Sequence, residues 1–134
     1  MQFIRGVSDY LLLECAEPDV ALPVTMLLEG VGFHVRVAVS EAQALALVNT
    51  APPALALIDL GARDVDELYW LAELKRRHNG QRPFPVILLS SREDLDEQAQ
   101  RLFAEGWHPT PIDPAGLMAL VRTTMQQAPD VIGA

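Results

Sequence analysis

The 134-residue chain has the length of one domain, and its hydrophobic fraction of 50% is enough to build a core on both faces of a sheet. A total of 18 acidic residues against 10 basic ones gives a net charge of −8, which argues against direct contact with nucleic acid or anionic membranes. The lone cysteine, Cys15, excludes an internal disulfide and a thiolate zinc site. Without a secretory signal or a membrane-spanning apolar stretch, residues 1–134 are expected to form one cytoplasmic domain with loosely ordered ends at 1–8 and 127–134.

Short apolar runs alternate with segments of helical periodicity, which is the rhythm of a parallel α/β sheet. The runs that predict strands are Tyr10–Leu13, Phe33–Val39, Ala54–Ile58 and Pro85–Leu89. A fifth strand is predicted at Thr110–Ile112, on an edge of the sheet because Pro109 and Pro111 lack backbone donors.

Five helices are predicted from apolar spacing and from capping residues. They cover residues 18 to 30 or 32, 41–48, 65–78, 93–105 and 114–125. Ser40 and Gln43 have the spacing of a capping box for the second helix. Ala72 and Phe103 are expected on the inward faces of the third and fourth helices. The result is a doubly wound α/β fold with a five-stranded parallel sheet and five helices, in which functional groups lie beyond the carboxyl ends of the strands.

The residues at those strand ends carry a resemblance to a known family. The segment ALALIDL closes an apolar strand on Asp59, PVILLSS closes the next on Ser90, and EGWHPTPIDP follows at the last strand. In this order and spacing, from about Tyr10 to Met125, they resemble the receiver domains of response regulators in two-component signalling, which have a flavodoxin-like fold. The resemblance implies that Asp59 occupies the phosphoacceptor position and Ser90 that of the hydroxyl which binds phosphoryl oxygens.

The same resemblance implies an acid pair after the first strand that holds Mg²⁺ together with the phosphoacceptor. An alignment without a gap places Cys15 and Ala16 at this pair, and neither is a hard oxygen ligand. A shift by one residue offers Glu14, and Glu17 is close enough in sequence to substitute with a longer side chain. We expect no cofactor; if Mg²⁺ were bound instead, Glu14, Glu17 and Asp59 would be its ligands.

Further departures from the family lie near the last strand. Asp113, just before Pro114, stands where the family has a lysine, so an attraction of roughly 4 kcal/mol at about 4 Å would become a repulsion. Thr110, three residues earlier, takes the place of the family's switch aromatic. Trp107 and its neighbour His108 lie in a predicted loop near the face that receivers use for partners, and an aromatic there is a candidate interaction anchor.

Several of these residues also have simpler interpretations. Ser90 or Ser91 has the spacing to cap the fourth helix, and a buried Cys15 is typically a small inert hydrophobe. The three histidines lack metal-ligand spacing, and Glu14–Pro18 contains no glycine of a phosphate-binding loop.

Three functions remain as hypotheses. The leading one is a non-enzymatic pseudo-receiver that docks to another signalling protein, such as a histidine kinase or an effector, or to a second copy of itself, through its fourth-helix to fifth-helix face. The second is a receiver that accepts phosphate on Asp59. The third is a sensor of a small ligand such as a nucleotide, which would use the altered pocket or Arg92 and Arg101.

Overall fold

A computed structural model describes residues 10–127 as one α/β sandwich. The strands are β1 Tyr10–Glu14, β2 His34–Ala38, β3 Leu55–Asp59, β4 Val86–Ser90 and β5 Gly106–Pro109. The helices are α1 Pro18–Gly30, α2 Glu41–Thr50, α3 Tyr69–Arg77, α4 Leu95–Leu102 and α5 Pro114–Gln127. All strand pairs are parallel and the sheet order is β2-β1-β3-β4-β5, which confirms the predicted doubly wound fold.

The sheet separates two apolar layers because alternate residues of each strand point to opposite faces. Leu12, Ile58 and Leu88 pack on the side of α2, α3 and α4. Leu13 and Leu57 pack on the opposite side, against α1 and α5. With both faces covered, the central strands β1, β3 and β4 are buried along their whole length, as expected for a parallel sheet. Their carboxyl ends therefore lie on a rigid, buried platform.

The last strand differs from the prediction in position. It spans Gly106–Pro109 instead of Thr110–Ile112, and it is the edge strand that was expected. A side chain at Gly106 would place its Cβ 2.7 Å from Leu120 Cδ1, so the glycine allows α5 to approach the strand. Trp107, predicted in a loop, consequently lies within β5.

The third and fourth helices are shorter than predicted. A 3₁₀ turn at Val65–Glu67 precedes α3, and Ala72 is exposed instead of inward. Helix α4 ends at Leu102 because Phe103 has a left-handed backbone with φ 57°, which leaves its ring 77% exposed and not in the core. Neither Ser90 nor Ser91 caps α4, whose N-cap is Asp94.

The capping box of the second helix is confirmed, with Ser40 accepting from the Gln43 N–H and Gln43 from the Val39 N–H. The expectation of loose ends at 1–8 and 127–134 falls outside the described residues, apart from Gln127, which is the last residue of α5. Among the helices of residues 10–127, none combines the length and apolar character needed to cross a membrane.

Candidate functional site

The carboxyl ends of β1 and β3 form an acidic cleft. Glu14 pairs in register with Ile58, which places Cys15 beside Asp59. The cleft has a volume of about 280 Å³. Its lining comes from the β1, β2 and β3 ends and the loops that follow them: Glu14, Ala16, Glu17, Val39, Ser40, Glu41, Asp59, Leu60, Gly61, Ala62 and Arg63.

Asp59 is fixed at the base of this cleft. It is the last residue of the buried strand β3, and only 6% of its surface is exposed. Its Oδ1 accepts a long hydrogen bond of 3.4 Å from the Gly61 N–H, and its Oδ2 lies 3.5 Å from the Cys15 Sγ. The residue across from the carboxylate is thus a thiol, where the family resemblance implies an acid.

The Cys15 thiol stays protonated at neutral pH. Burial raises its pKa to about 11, and the negative charges of Asp59 and Glu14 add to the effect. The Sγ also lies 3.3 Å from the carbonyl oxygen of Glu17. A protonated thiol is a poor nucleophile and a poor ligand for a hard cation.

Glu14 points away from Asp59, toward the layer of α2 and α3, because neighbouring strand residues face opposite sides of the sheet. Its Oε2 lies 3.1 Å from Arg63 Nη2, and its Oε1 accepts a hydrogen bond from the Trp70 indole N–H at 3.3 Å. Burial raises the pKa of the Glu14 carboxyl, whereas Arg63 and Trp70 act in the opposite direction.

Arg63 joins the parts of the cleft together. Its Nη1 lies 3.2 Å from Glu41 Oε2, and its Nη2 donates to the backbone carbonyl of Asp59 at 2.6 Å. Its Nε donates to the carbonyl of Leu60, so the guanidinium is held on three sides. The sequence reasoning missed Arg63 and Trp70. The one available signal was an arginine four residues after Asp59 in a loop otherwise rich in acids.

The β3–α3 loop is also tied to α4 and to the segment before it. Arg92 donates to the Arg63 carbonyl, and Gln98 accepts from the Val65 N–H at 2.9 Å. Arg101 pairs with Asp64 and Asp66, and Arg92 pairs with Asp94. These bonds connect the cleft to the helix that borders the candidate partner face.

Strand β4 ends at Ser90, as predicted, whereas the end of β5 differs from the prediction. Ser90 is buried, and its Oγ accepts a hydrogen bond from the Arg92 N–H at 3.0 Å. Ser90 pairs with Pro109, and the Thr110 N–H donates to the Ser90 carbonyl, so Thr110 directly follows β5. The sequence contains one lysine, Lys75, which lies in the last turn of α3 and not at this edge.

Strand β5 ends three residues earlier than expected, at Pro109, so Asp113 lies four positions beyond the strand end. Asp113 is exposed and precedes α5, where its Oδ2 accepts from the Gly116 N–H at 3.1 Å. Its own N–H donates to His108 Nε2, and burial lowers the pKa of this histidine. Thr110 directly follows β5, and Trp107 lies within that strand.

The structure therefore brings only part of the predicted site together. Glu14, Ala16, Glu17 and Asp59 line the cleft, with Cys15 buried beside Asp59. Outside the lining lie Ser90, Thr110, Asp113, Trp107 and His108. Within residues 10–127, no three His, Cys, Asp or Glu side chains are grouped so that they could hold a metal ion.

Comparison with known proteins gives a consistent relationship. No family model matches the chain. The regulatory protein VanRc of Enterococcus gallinarum is 27% identical over 123 residues, which are 90% of this chain and 52% of that protein. The chain thus spans about half the length of this curated relative.

Solved structures extend this relationship to the fold. A sensor protein from Polaromonas sp. JS666 is 27% identical, with a TM-score of 0.72 over 87% of this chain and 95% of the other. The receiver domain of NtrX from Brucella abortus is 24% identical, with a TM-score of 0.75 over 88% and 99% of the two chains.

The topology and these matches define a flavodoxin-like α/β domain with a five-stranded parallel sheet. In sequence and fold the chain is similar to the receiver domains of response regulators.

Proposed function

We propose that this receiver domain acts in cytoplasmic signal transduction by docking to another signalling protein, without enzymatic activity and without phosphorylation of Asp59. One observation carries the proposal: a protonated thiol, Cys15, stands 3.5 Å from the Asp59 carboxylate.

Phosphoryl transfer to a carboxylate requires positive charge around the transferring group, supplied by a metal ion and by cationic side chains. Here the residue that follows β5 is the neutral Thr110, and the nearby guanidinium of Arg63 is bound to two glutamates and two carbonyls. These contacts support a domain in which Asp59 keeps its position but has lost the chemistry around it.

The candidate docking face lies at α4 and β5. Phe103 is 77% exposed and Trp107 is 46% exposed. Arg82 donates to the carbonyls of Leu102 and Phe103, so the end of α4 is held firmly. Large aromatic side chains that are presented on a fixed backbone lose little entropy on binding and often anchor interfaces. We therefore assign Trp107, with His108 beside it, and Phe103 to the partner face.

Phosphorylation independence is tested by amide NMR of the wild-type domain and of Asp59→Asn with Mg²⁺ and beryllofluoride. The expected result is unchanged spectra for both proteins. Saturable shifts around Asp59, Ser90 and Thr110 that are absent from Asp59→Asn would establish the alternative, a receiver phosphorylated on Asp59.

Docking is tested in cells with a photo-crosslinking amino acid placed at Phe103 or Trp107. We expect a discrete adduct with another protein that persists when Asp59→Asn is added. The matched control is Leu22, which is 61% exposed but lies on α1. Adducts that disappear with Asp59→Asn, or that form equally well from Leu22, would contradict the proposal.

The small-ligand alternative receives less support. It relied on Arg92 and Arg101 as groups available for an anion, and both are engaged with acids, Arg92 with Asp94 and Arg101 with Asp64 and Asp66. An anionic ligand such as a nucleotide would have to displace these carboxylates and then approach a cleft lined by Glu14, Glu17, Glu41 and Asp59.

A further inference from the structure

The receiver relationship implies Mg²⁺ beside Asp59, and the residues of this chain do not fit that ion. Mg²⁺ requires hard oxygen ligands in near-octahedral geometry. Cys15 offers a protonated sulfur, Ala16 offers no ligand, and Glu14 is turned to the opposite face of the sheet. Of the two acids at the carboxyl end of β1, Glu14 is therefore separated from Asp59. Glu17 is an exposed residue of the cleft wall that supplies one carboxylate, where the family resemblance implies a pair of acids.

A cation is nevertheless present in the cleft, and it belongs to the chain itself. The two terminal nitrogens of Arg63 contact three oxygens: Oε2 of Glu14 at 3.1 Å, Oε2 of Glu41 at 3.2 Å and the backbone carbonyl of Asp59 at 2.6 Å. Two carboxylates and a carbonyl are the ligand types that hard divalent cations take. A guanidinium meets the same oxygens with directed hydrogen bonds.

We propose that Arg63 is a built-in substitute for the divalent cation of receiver domains, so that its guanidinium occupies the oxygens of Glu14, Glu41 and the Asp59 backbone and closes them to metal. This inference rests on the proposed function and adds the reason why the cleft does not need Mg²⁺. It also differs from a surface ion pair, because Glu14 is buried and 26% of the Arg63 side chain is exposed.

The arrangement links the state of the cleft to the docking face. The Arg63 carbonyl accepts from Arg92, and the following residues Asp64 and Val65 are held by Gln98 on α4. In a domain that depends on Mg²⁺ and phosphate, the loop after β3 would be free to respond to them. Here the covalently attached cation holds that loop in one arrangement.

The proposal is tested by adding Mn²⁺ to the wild-type domain and to Arg63→Ala, with the two indole N–H signals followed by NMR. Trp70 donates to Glu14 and so reports on the cleft, whereas Trp107 on β5 is the internal control. We expect Arg63→Ala to bind Mn²⁺ at least tenfold more tightly than the wild type, with much stronger paramagnetic broadening of Trp70 than of Trp107, which lies two strands away from β3.

Two further variants separate charge from position. Arg63→Lys keeps a cation in the cleft and should resemble the wild type. Arg101→Ala removes an equal charge from the exposed pairs with Asp64 and Asp66, and should leave the Trp70 signal insensitive to Mn²⁺. Tight binding by Arg101→Ala would show that net charge alone is responsible, which would overturn the proposal.

The outcomes also distinguish this inference from the proposed function. A folded Arg63→Ala that binds no Mn²⁺ overturns the substitution by Arg63 and leaves the docking function intact. Broadening of Trp70 in the wild type, together with a response to beryllofluoride, overturns both. If Arg63→Ala does not fold, hydrogen exchange of the Arg63 guanidinium protons is measured in the wild type. Slow exchange that millimolar Mg²⁺ leaves unchanged supports the proposal. Faster exchange on addition of Mg²⁺ overturns it.

Discussion

The carboxyl edge of the sheet ends in two unlike regions. At β1 and β3 the charged side chains of Glu14 and Asp59 are buried, and Arg63 links Glu14 to Glu41 and to the backbone carbonyl of Asp59. At β5 and the end of α4 the notable side chains are aromatic and exposed, namely Trp107 and Phe103. In the first region Glu14, Glu41 and Arg63 are already engaged with one another within the chain. In the second, apolar surface is left available to another molecule.

This contrast follows from how buried charge behaves. An ionised carboxylate in the layer of α2 and α3 is tolerated only if it is paired and hydrogen-bonded, and Glu14 has both Arg63 and Trp70 as partners. The same partners then become structurally necessary. Exposed aromatic side chains contribute little to the stability of the fold, so they are available for binding.

Substitution of the two tryptophans tests most directly whether the two regions differ in this way. Trp70 is 2% exposed, stacks on Phe84 with ring centroids 6.4 Å apart and donates to Glu14, so Trp70→Ala should cost about 3–5 kcal/mol of unfolding free energy. Trp107→Ala should change it by about 0.5 kcal/mol. Urea denaturation of both variants provides the measurement. A loss of several kcal/mol for Trp107→Ala would make β5 part of the core and contradict its proposed role as a docking face.

The pH dependence of stability tests the buried pair itself. Because burial raises the pKa of Glu14, the folded protein holds this proton more tightly than the unfolded chain, whose glutamates titrate near about 4.3. Its stabilising contribution is complete below that pH and is lost as the pH rises through the folded-state value. Glu14→Gln has no carboxyl to ionise at this position, so it escapes this pH-dependent loss of unfolding free energy. Relative to the wild type, the variant should therefore gain about 1.4 kcal/mol between acid and neutral pH for each unit by which the pKa of Glu14 is raised.

Denaturation curves of both proteins across this pH range would measure the loss of stability that Glu14 causes. Arg63→Met should make this loss larger, because it removes the guanidinium that lowers the pKa of Glu14. Below pH 4 a separate loss is expected in every variant that keeps Asp64, whose pKa is lowered to about 2 mainly by the hydrogen bond from the Asp66 N–H and by Arg101. Parallel profiles for the wild type and Glu14→Gln would mean that the carboxyl of Glu14 titrates as an exposed group.

The sequence predicted the buried scaffold well because long apolar runs leave few alternatives. Strands β1, β3 and β4 were located within about one residue, and Asp59 was found because it closes such a run. The segment GWHP of β5 carries no apolar run, and its position depends on the contact between Gly106 and Leu120. Arg63 was missed for a similar reason, since its partners Glu14 and Glu41 lie 49 and 22 positions away in the chain.

The smallest expected effect concerns Asp113, which the sequence placed at the lysine position and the structure places at the start of α5. There its carboxylate accepts from the Gly116 N–H and its carbonyl accepts from the Leu117 N–H, as at a helix N-cap. Asp113→Ala should cost about 1 kcal/mol of unfolding free energy, and Asp113→Asn, which keeps the acceptor, much less. Neither change should move the Trp70 indole signal, because Asp113 does not line the cleft. Denaturation and NMR of the two variants measure both effects. If both variants were as stable as the wild type and both shifted the Trp70 signal, the charge of Asp113 would act on the cleft and not on the helix.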